Sequence, residues 1–206
     1  MDIKIANLDA VLFSYFWHDI KSVKEIVEQL TLKGAAISKD VDIEPLLNLS
    51  YAYGPSLMRA TFFSTSENTT IMFPNLQDGW FTLFSTITSK LKAKSCYMKI
   101  MDSNKIVDGA NYLVYCEGSQ ERVVYTLKEN RWVFWEQGAP QHFENTAYYT
   151  AKQKKERLSR EIMLGYCENL EITKNGVVTL NIDSAFSYEL GNATGKSVGS
   201  TSFIRK

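Results

Sequence analysis

The sequence predicts an α+β domain: a largely antiparallel sheet with about three helices packed on it. Three observations predict it. Short apolar runs with strand character recur along the chain, three longer segments place apolar residues at helical spacing, and polar or glycine-containing turns join successive strands. The 206 residues fit one domain with a core of its own, and a 45% apolar and 22% charged composition is ordinary for a folded globular chain. We read residues 1–190 as that single domain. Residues 191–206, rich in Gly, Ser and Thr, read as a flexible C-terminal tail.

The first run, Leu8 to Trp17, mixes alternation with continuous apolar character and reads as a strand. Ser22 and Glu25 then match a capping box, Val23, Ile26, Val27 and Leu30 follow at helical spacing, and Gly34 stands where a helix ends, which predicts a helix over 22–33. Gly54-Pro55 marks a loop. Leu57–Ser64 and Thr69–Phe73 read as strands joined by the turn Thr65–Asn68. Asp78 is placed to cap a second helix through about Ala93, with Trp80, Leu83, Phe84, Ile87 and Leu91 on one face and lysines at its C-terminal end.

A strand-rich centre follows, with runs Cys96–Met101, Asn111–Cys116, Glu121–Leu127 and Arg131–Glu136. Lys128-Glu129-Asn130 predicts a tight hairpin between the last two. The segment Arg131–Trp135 is apolar on both alternating faces, the pattern of a strand covered on both sides. Residues 152–169 predict the third helix, with Leu158, Ile162 and Tyr166 on one stripe and a favourable Glu156–Arg160 pair. Lys174-Asn175-Gly176 predicts a final hairpin.

Composition narrows the function classes. Lys plus Arg and Asp plus Glu are equal at 23 each, and this balance argues against nonspecific nucleic-acid binding, which draws on excess positive charge. The first residues lack a signal peptide's basic start and cleavage site, and the run Ala10–Trp17 is too short to span a bilayer, so a cytoplasmic protein without a membrane partner is expected. Cys96, Cys116 and Cys167 are odd in number and widely spaced, which predicts reduced thiols rather than a disulfide framework or a zinc site. No catalytic set, metal site or cofactor is predicted.

Several partial motifs stand in the sequence. The stretch Gly191 to Ser197 resembles a phosphate-binding loop, but three residues separate its glycines where four are needed, and no helix-length segment follows. His18 and His142 carry no local nucleophile signature. Asp102 and Asp108 bracket a turn, and Glu117 and Glu136 lie at strand ends. Lys152, Lys154, Lys155, Arg157 and Arg160, with Tyr148 and Tyr149 upstream, would give the third helix a basic start, and Glu156 and Glu161 dilute it.

One pattern is shared with a known group. DGWFTLFSTITSKLKAKSCYMKI runs from Asp78 to Ile100. RWVFWEQGAPQHFENTAYY and KKERLSREIMLGYCENLEI follow between Arg131 and Ile172. The order is helix, strands, a Trp-rich strand ending in Glu-x-Gly-x-Pro, then Phe-Glu, then a helix closing on Tyr-Cys-x-x-Leu. This resembles small bacterial immunity proteins of polymorphic or contact-dependent toxin systems, over about half the chain. The resemblance implies a non-catalytic cytoplasmic protein that binds and blocks a cognate toxin. That task needs a rigid scaffold and a complementary surface. The neutral charge departs from the acidic balance of nuclease inhibitors, so a local acidic patch is required for such a target. Asp40, Asp42 and Glu44 form one candidate partner surface, and Trp135 and Glu136 at the end of the Trp-rich strand form the second. Two other readings stand beside this one: a small enzyme whose site assembles only in the fold, and an RNA-binding regulator using the basic helix.

Overall fold

A computed structural model describes residues 1–8, 10–30, 35–39, 41, 57–76, 78–101 and 110–191. Strands β2 (Ala10–Phe16), β3 (Ala35–Ser38), β4 (Leu57–Ser66), β5 (Thr69–Pro74), β6 (Ser95–Met101), β7 (Ala110–Glu117), β8 (Gln120–Lys128), β9 (Trp132–Gln137) and β11 (Asn181–Gly191) form one nine-stranded sheet in the order β3-β11-β4-β5-β2-β6-β7-β8-β9. Every pairing in it is antiparallel. A second ribbon pairs β1 (Asp2–Lys4) with β10 (Val177–Thr179). Among the described residues the α-helices are α1 (Ile20–Gln29), α2 (Phe81–Leu91) and α3 (Arg160–Asn169). The α+β class predicted from the sequence is the class observed. Among the described residues no helix is long and apolar enough to cross a membrane.

The central strands are buried on both faces because their alternate residues feed two separate cores. Phe13 and Tyr15 of β2, Phe63 of β4, Ile71 and Phe73 of β5, and Cys96 and Met98 of β6 enter one core. Leu12, Phe16, Phe62, Met72 and Tyr97, their immediate neighbours in sequence, enter the other. Helices α1 and α2 roof the second core with Val23, Val27, Leu83, Phe84 and Ile87. The chain from Phe143 to Leu180, with α3 at its centre, roofs the first through Phe143, Leu158, Met163, Tyr166 and Leu170. Phe62 stacks on Phe186 across strands β4 and β11 at 4.6 Å, and Trp80, at the start of α2, stacks on Tyr188 of the sheet at 5.5 Å.

Several local readings are corrected by the structure. The first helix starts earlier than a Ser22 capping box requires. Asp19 is its N-cap, accepting from the Ser22 amide at 3.0 Å and the Ser22 hydroxyl at 2.8 Å. Gly34 and the three residues before it lie outside the described residues. Asp78 does not cap the second helix itself. It receives the Trp80 amide at 3.0 Å, and Trp80, at φ 49°, opens α2.

The third helix is shorter than expected. Residues 154–156 form a 3-10 turn, and α3 begins only after Ser159. The Leu158 carbonyl is drawn to the sheet by the Asn111 amide and the Thr126 hydroxyl, both at 2.9 Å, so a continuous helix cannot pass through this point. Asn175 and Gly176 make the predicted tight turn at φ 54° and 71°, and the strand that leaves it, β10, pairs with β1. The tail from Asn192, including the phosphate-loop-like stretch beyond Gly191, lies outside the described residues, as do Asp102 and Asp108.

Candidate interaction surface on strands β7 to β9

β9 is the last strand of the sheet, and among the described residues only β8 pairs with it. The expectation that Arg131–Trp135 would be covered on both sides is therefore corrected. One face of β9 is covered: Phe134 packs on Tyr149 at 5.2 Å and lies under the Arg157 guanidinium at 5.5 Å. The other face continues the side roofed by α1 and α2, and there Trp135 is 40% exposed.

Register brings a row of rings to this face. Tyr97 pairs with Val114 on β7, Tyr112 pairs with Tyr125 on β8, and Tyr125 pairs with Trp135 on β9. Phe81 of α2 meets Tyr97 edge-on at 5.4 Å, and Tyr97 meets Tyr112 at 5.9 Å. Tyr112 then stacks on Tyr125 at 5.4 Å, and Tyr125 on Trp135 at 5.5 Å. Leu127 and Val133 form the next cross-strand pair on the same face, and both are half-buried. The row thus starts under a helix and ends at an exposed indole. Rings stacked across strands lose few rotamers on contact with another molecule, which suits them to recognition.

β9 is fixed from behind by a buried charge network. Arg122 of β8 is 1% exposed. Its Nε and Nη2 donate to Glu144, Nη2 at 2.8 Å, and its Nη2 also reaches Glu136 at 2.6 Å. Its Nη1 donates to the Gly138 carbonyl at 2.8 Å. Gly138 sits at φ 83°, and a Cβ there would lie 2.2 Å from the Glu121 carbonyl oxygen, so glycine is required where the chain leaves β9. Glu144 also accepts from the Tyr149 hydroxyl at 2.6 Å and the Gln141 amide at 2.8 Å. Burial opposes the charge on Arg122, but its bonds to Glu144 and Glu136 outweigh that and raise its pKa further. Burial, then the carboxylate of Glu144, pushes the Tyr149 hydroxyl well above its ordinary range.

Of the residues predicted to meet a partner, Trp135 and Glu136 lie together at this end of the sheet, on opposite faces of β9. Glu136 faces the network, so its carboxylate is held by Arg122. Asp40, Asp42 and Glu44 lie outside the described residues. The sequence reading missed Arg122, Glu144, Tyr112 and Tyr125. Arg122 stood out only as a lone cation beside Val123 and Val124, and Glu144 only as the acid of the Phe-Glu pair.

The other candidates fall elsewhere. His18 lies 3.1 Å from Asp19, and His142 packs edge-on against Phe143. Cys96 and Cys167 are fully buried, and burial pushes the Cys167 thiol up to about 12. Glu117 accepts from the Tyr115 hydroxyl at 2.9 Å. The basic segment is not a helical face. Arg157 donates to the Ala151 carbonyl, and Arg160 to the carbonyls of Ile5, Ala6 and Leu8. An open cleft of about 540 Å³ runs beside α3, lined by Tyr148, Glu156, Glu161 and Glu168 among others. Glu168 serves the turn at its end, accepting from Thr173, Asn175 and Gly176. Among the described residues no group of three His, Cys, Asp or Glu is placed to hold a metal ion.

No protein family, no curated protein and no solved structure matches this chain.

Proposed function

We propose that this chain is a non-catalytic binding protein, and that the ring-lined face of β7 to β9 meets its partner. The observation that carries the reading is the aromatic row ending in the exposed Trp135 on a strand locked by Arg122, Glu136 and Glu144. Trp and Tyr anchors dominate binding energy when a partner buries them, and a strand that does not rearrange avoids an ordering cost.

The partner class follows from the sequence resemblance to bacterial immunity proteins. The chain acts in the cytoplasm of a bacterium and neutralises a cognate toxin domain by covering it. Two features support this over an RNA-binding role: the zero formal net charge, and the engagement of Arg157 and Arg160 with main-chain carbonyls.

Co-expression tests the reading. The product of the gene beside this one should arrest growth when expressed alone and be harmless when this chain is present. The Trp135→Ala variant should protect less while remaining folded. A neighbouring product that is harmless by itself, or protection unchanged by Trp135→Ala, would contradict the proposal.

A further inference from the structure

Among the described residues no strand pairs with the outer edge of β9. A sheet edge carries a row of unpaired N–H and C=O groups, and natural proteins blunt it with short strands, bulges, proline or lysine. The opposite edge follows that rule, since β3 is only four residues long. β9 does not. It spans six residues, Trp-Val-Phe-Trp-Glu-Gln, with no lysine or proline. Its pairing with β8 keeps an unbroken register from Val123–Gln137 to Lys128–Trp132, so no bulge turns it away.

We propose that β9 pairs antiparallel with β9 of a second copy of this chain, joining two sheets edge to edge across a twofold axis. The geometry restricts the register. Opposed residues in an antiparallel pair share a face, so the covered faces of the two copies coincide only when a residue pairs with one of the same parity. An axis through Phe134 satisfies this and engages the strand from Trp132 to Glu136. Trp135 then faces the partner's Val133, and Glu136 faces the partner's Trp132. The first is an aromatic and β-branched pair of the kind that stabilises sheets, and no two carboxylates meet. The sequence is therefore complementary to itself in this register. The row from Tyr112 to Trp135 would continue across the axis onto the same row of the second copy, on one side of the joined sheet.

This dimer rests on the edge alone and does not depend on the partner assigned above. Sedimentation velocity on the purified full chain tests it. An interface of this size lies at the small end of specific contacts, so a dissociation constant of about 10 μM is expected. The mass should rise from the 23.5 kDa of one chain to double that value as the concentration is raised. The double variant Val133→Lys, Trp135→Lys places lysine opposite lysine across the axis and should stay monomeric throughout.

A second measurement does not depend on that variant folding. Chains carrying Val133→Cys, mixed with chains carrying Trp135→Cys and oxidised, should cross-link more completely than either chain by itself. A monomer at every concentration, a dimer that survives both lysines, or cross-linking that is no better in the mixture would each overturn the proposal. A monomer whose β9 is instead occupied by a strand of another protein would overturn it as well.

Discussion

Strand β2 carries Leu12-Phe-Ser-Tyr-Phe16, and strand β9 carries Trp132-Val-Phe-Trp135. Both are rich in rings on alternating faces, and by composition alone they look like the same kind of strand. In the fold they part company. β2 lies between β5 and β6, and all seven of its residues are buried. Among the described residues β9 ends the sheet, and half of its residues are exposed. The rings of β2 are fully accounted for by the two cores they fill. The one β9 ring on the open face, Trp135, is not, and the proposed partner surface would account for it.

The comparison is sharpened first by deleting one ring from each strand. Phe13→Ala in β2 removes a side chain that is 0% exposed, and urea denaturation should show a loss of about 3–5 kcal/mol. Trp135→Ala in β9 should cost only about 1 kcal/mol in the same assay, because the ring is 40% exposed and loses mainly its stack on Tyr125. Equal losses would mean that β9 is packed like β2.

The two arms of the Arg122 network differ in the same way. The Glu144 side chain is 0% exposed and that of Glu136 is 41% exposed. Glu144→Gln should destabilise by about 3 kcal/mol, because it removes half of a buried ion pair. Glu136→Gln should cost about 0–1 kcal/mol, since water screens that arm. Thermal unfolding of both variants at neutral pH checks the ranking.

Alkaline pH tests the buried side of the molecule. Cys167 has an ordinary value of 9.0 and is raised to about 12 in the fold, chiefly by burial. A raised folded value gives stability that is complete below pH 9 and lost as pH rises towards 12. Tyr149 is also raised, by burial and then by Glu144, and acts in the same direction above its ordinary value of 10.0. The midpoint of urea unfolding should therefore fall between pH 9 and 12, and Tyr149→Phe should make the upper part of that fall shallower.

The smallest effect belongs to α1. Asp19→Ala removes its cap and should cost about 1 kcal/mol. The Asp19 carboxyl is lowered from 3.8, mainly by the Ser22 amide, so this contribution is present above pH 3.8 and lost as pH falls through the lower folded value. Stability that is unchanged in Asp19→Ala at neutral pH would return the cap to Ser22.

Local patterns carried much of the fold. β2, β5 to β8 and α2 were legible because each holds its own periodicity, and the β8–β9 hairpin because its loop is short. β11 was not legible as a strand between β3 and β4. Its partners, such as Thr61 opposite Ser187, lie far away in sequence and include polar residues that alternation does not mark. The start of α3 was misplaced because Lys152 to Arg157 look helical by composition, whereas Asn111 and Thr126 hold the Leu158 carbonyl instead.

The surface on β9 was half legible. Trp135 and Glu136 were visible at a strand end. Tyr112 and Tyr125 join them only through strand register, and Arg122 meets Glu144 only because the chain turns back after Gly138.

The most direct test is the affinity of this chain for the product of the gene beside it, measured by calorimetry for the unaltered chain and for Trp135→Ala. The account predicts tight binding that weakens by about 30-fold or more, equivalent to roughly 2 kcal/mol, with the fold intact by circular dichroism. No binding, or binding that ignores both Trp135→Ala and Tyr125→Ala, would contradict it.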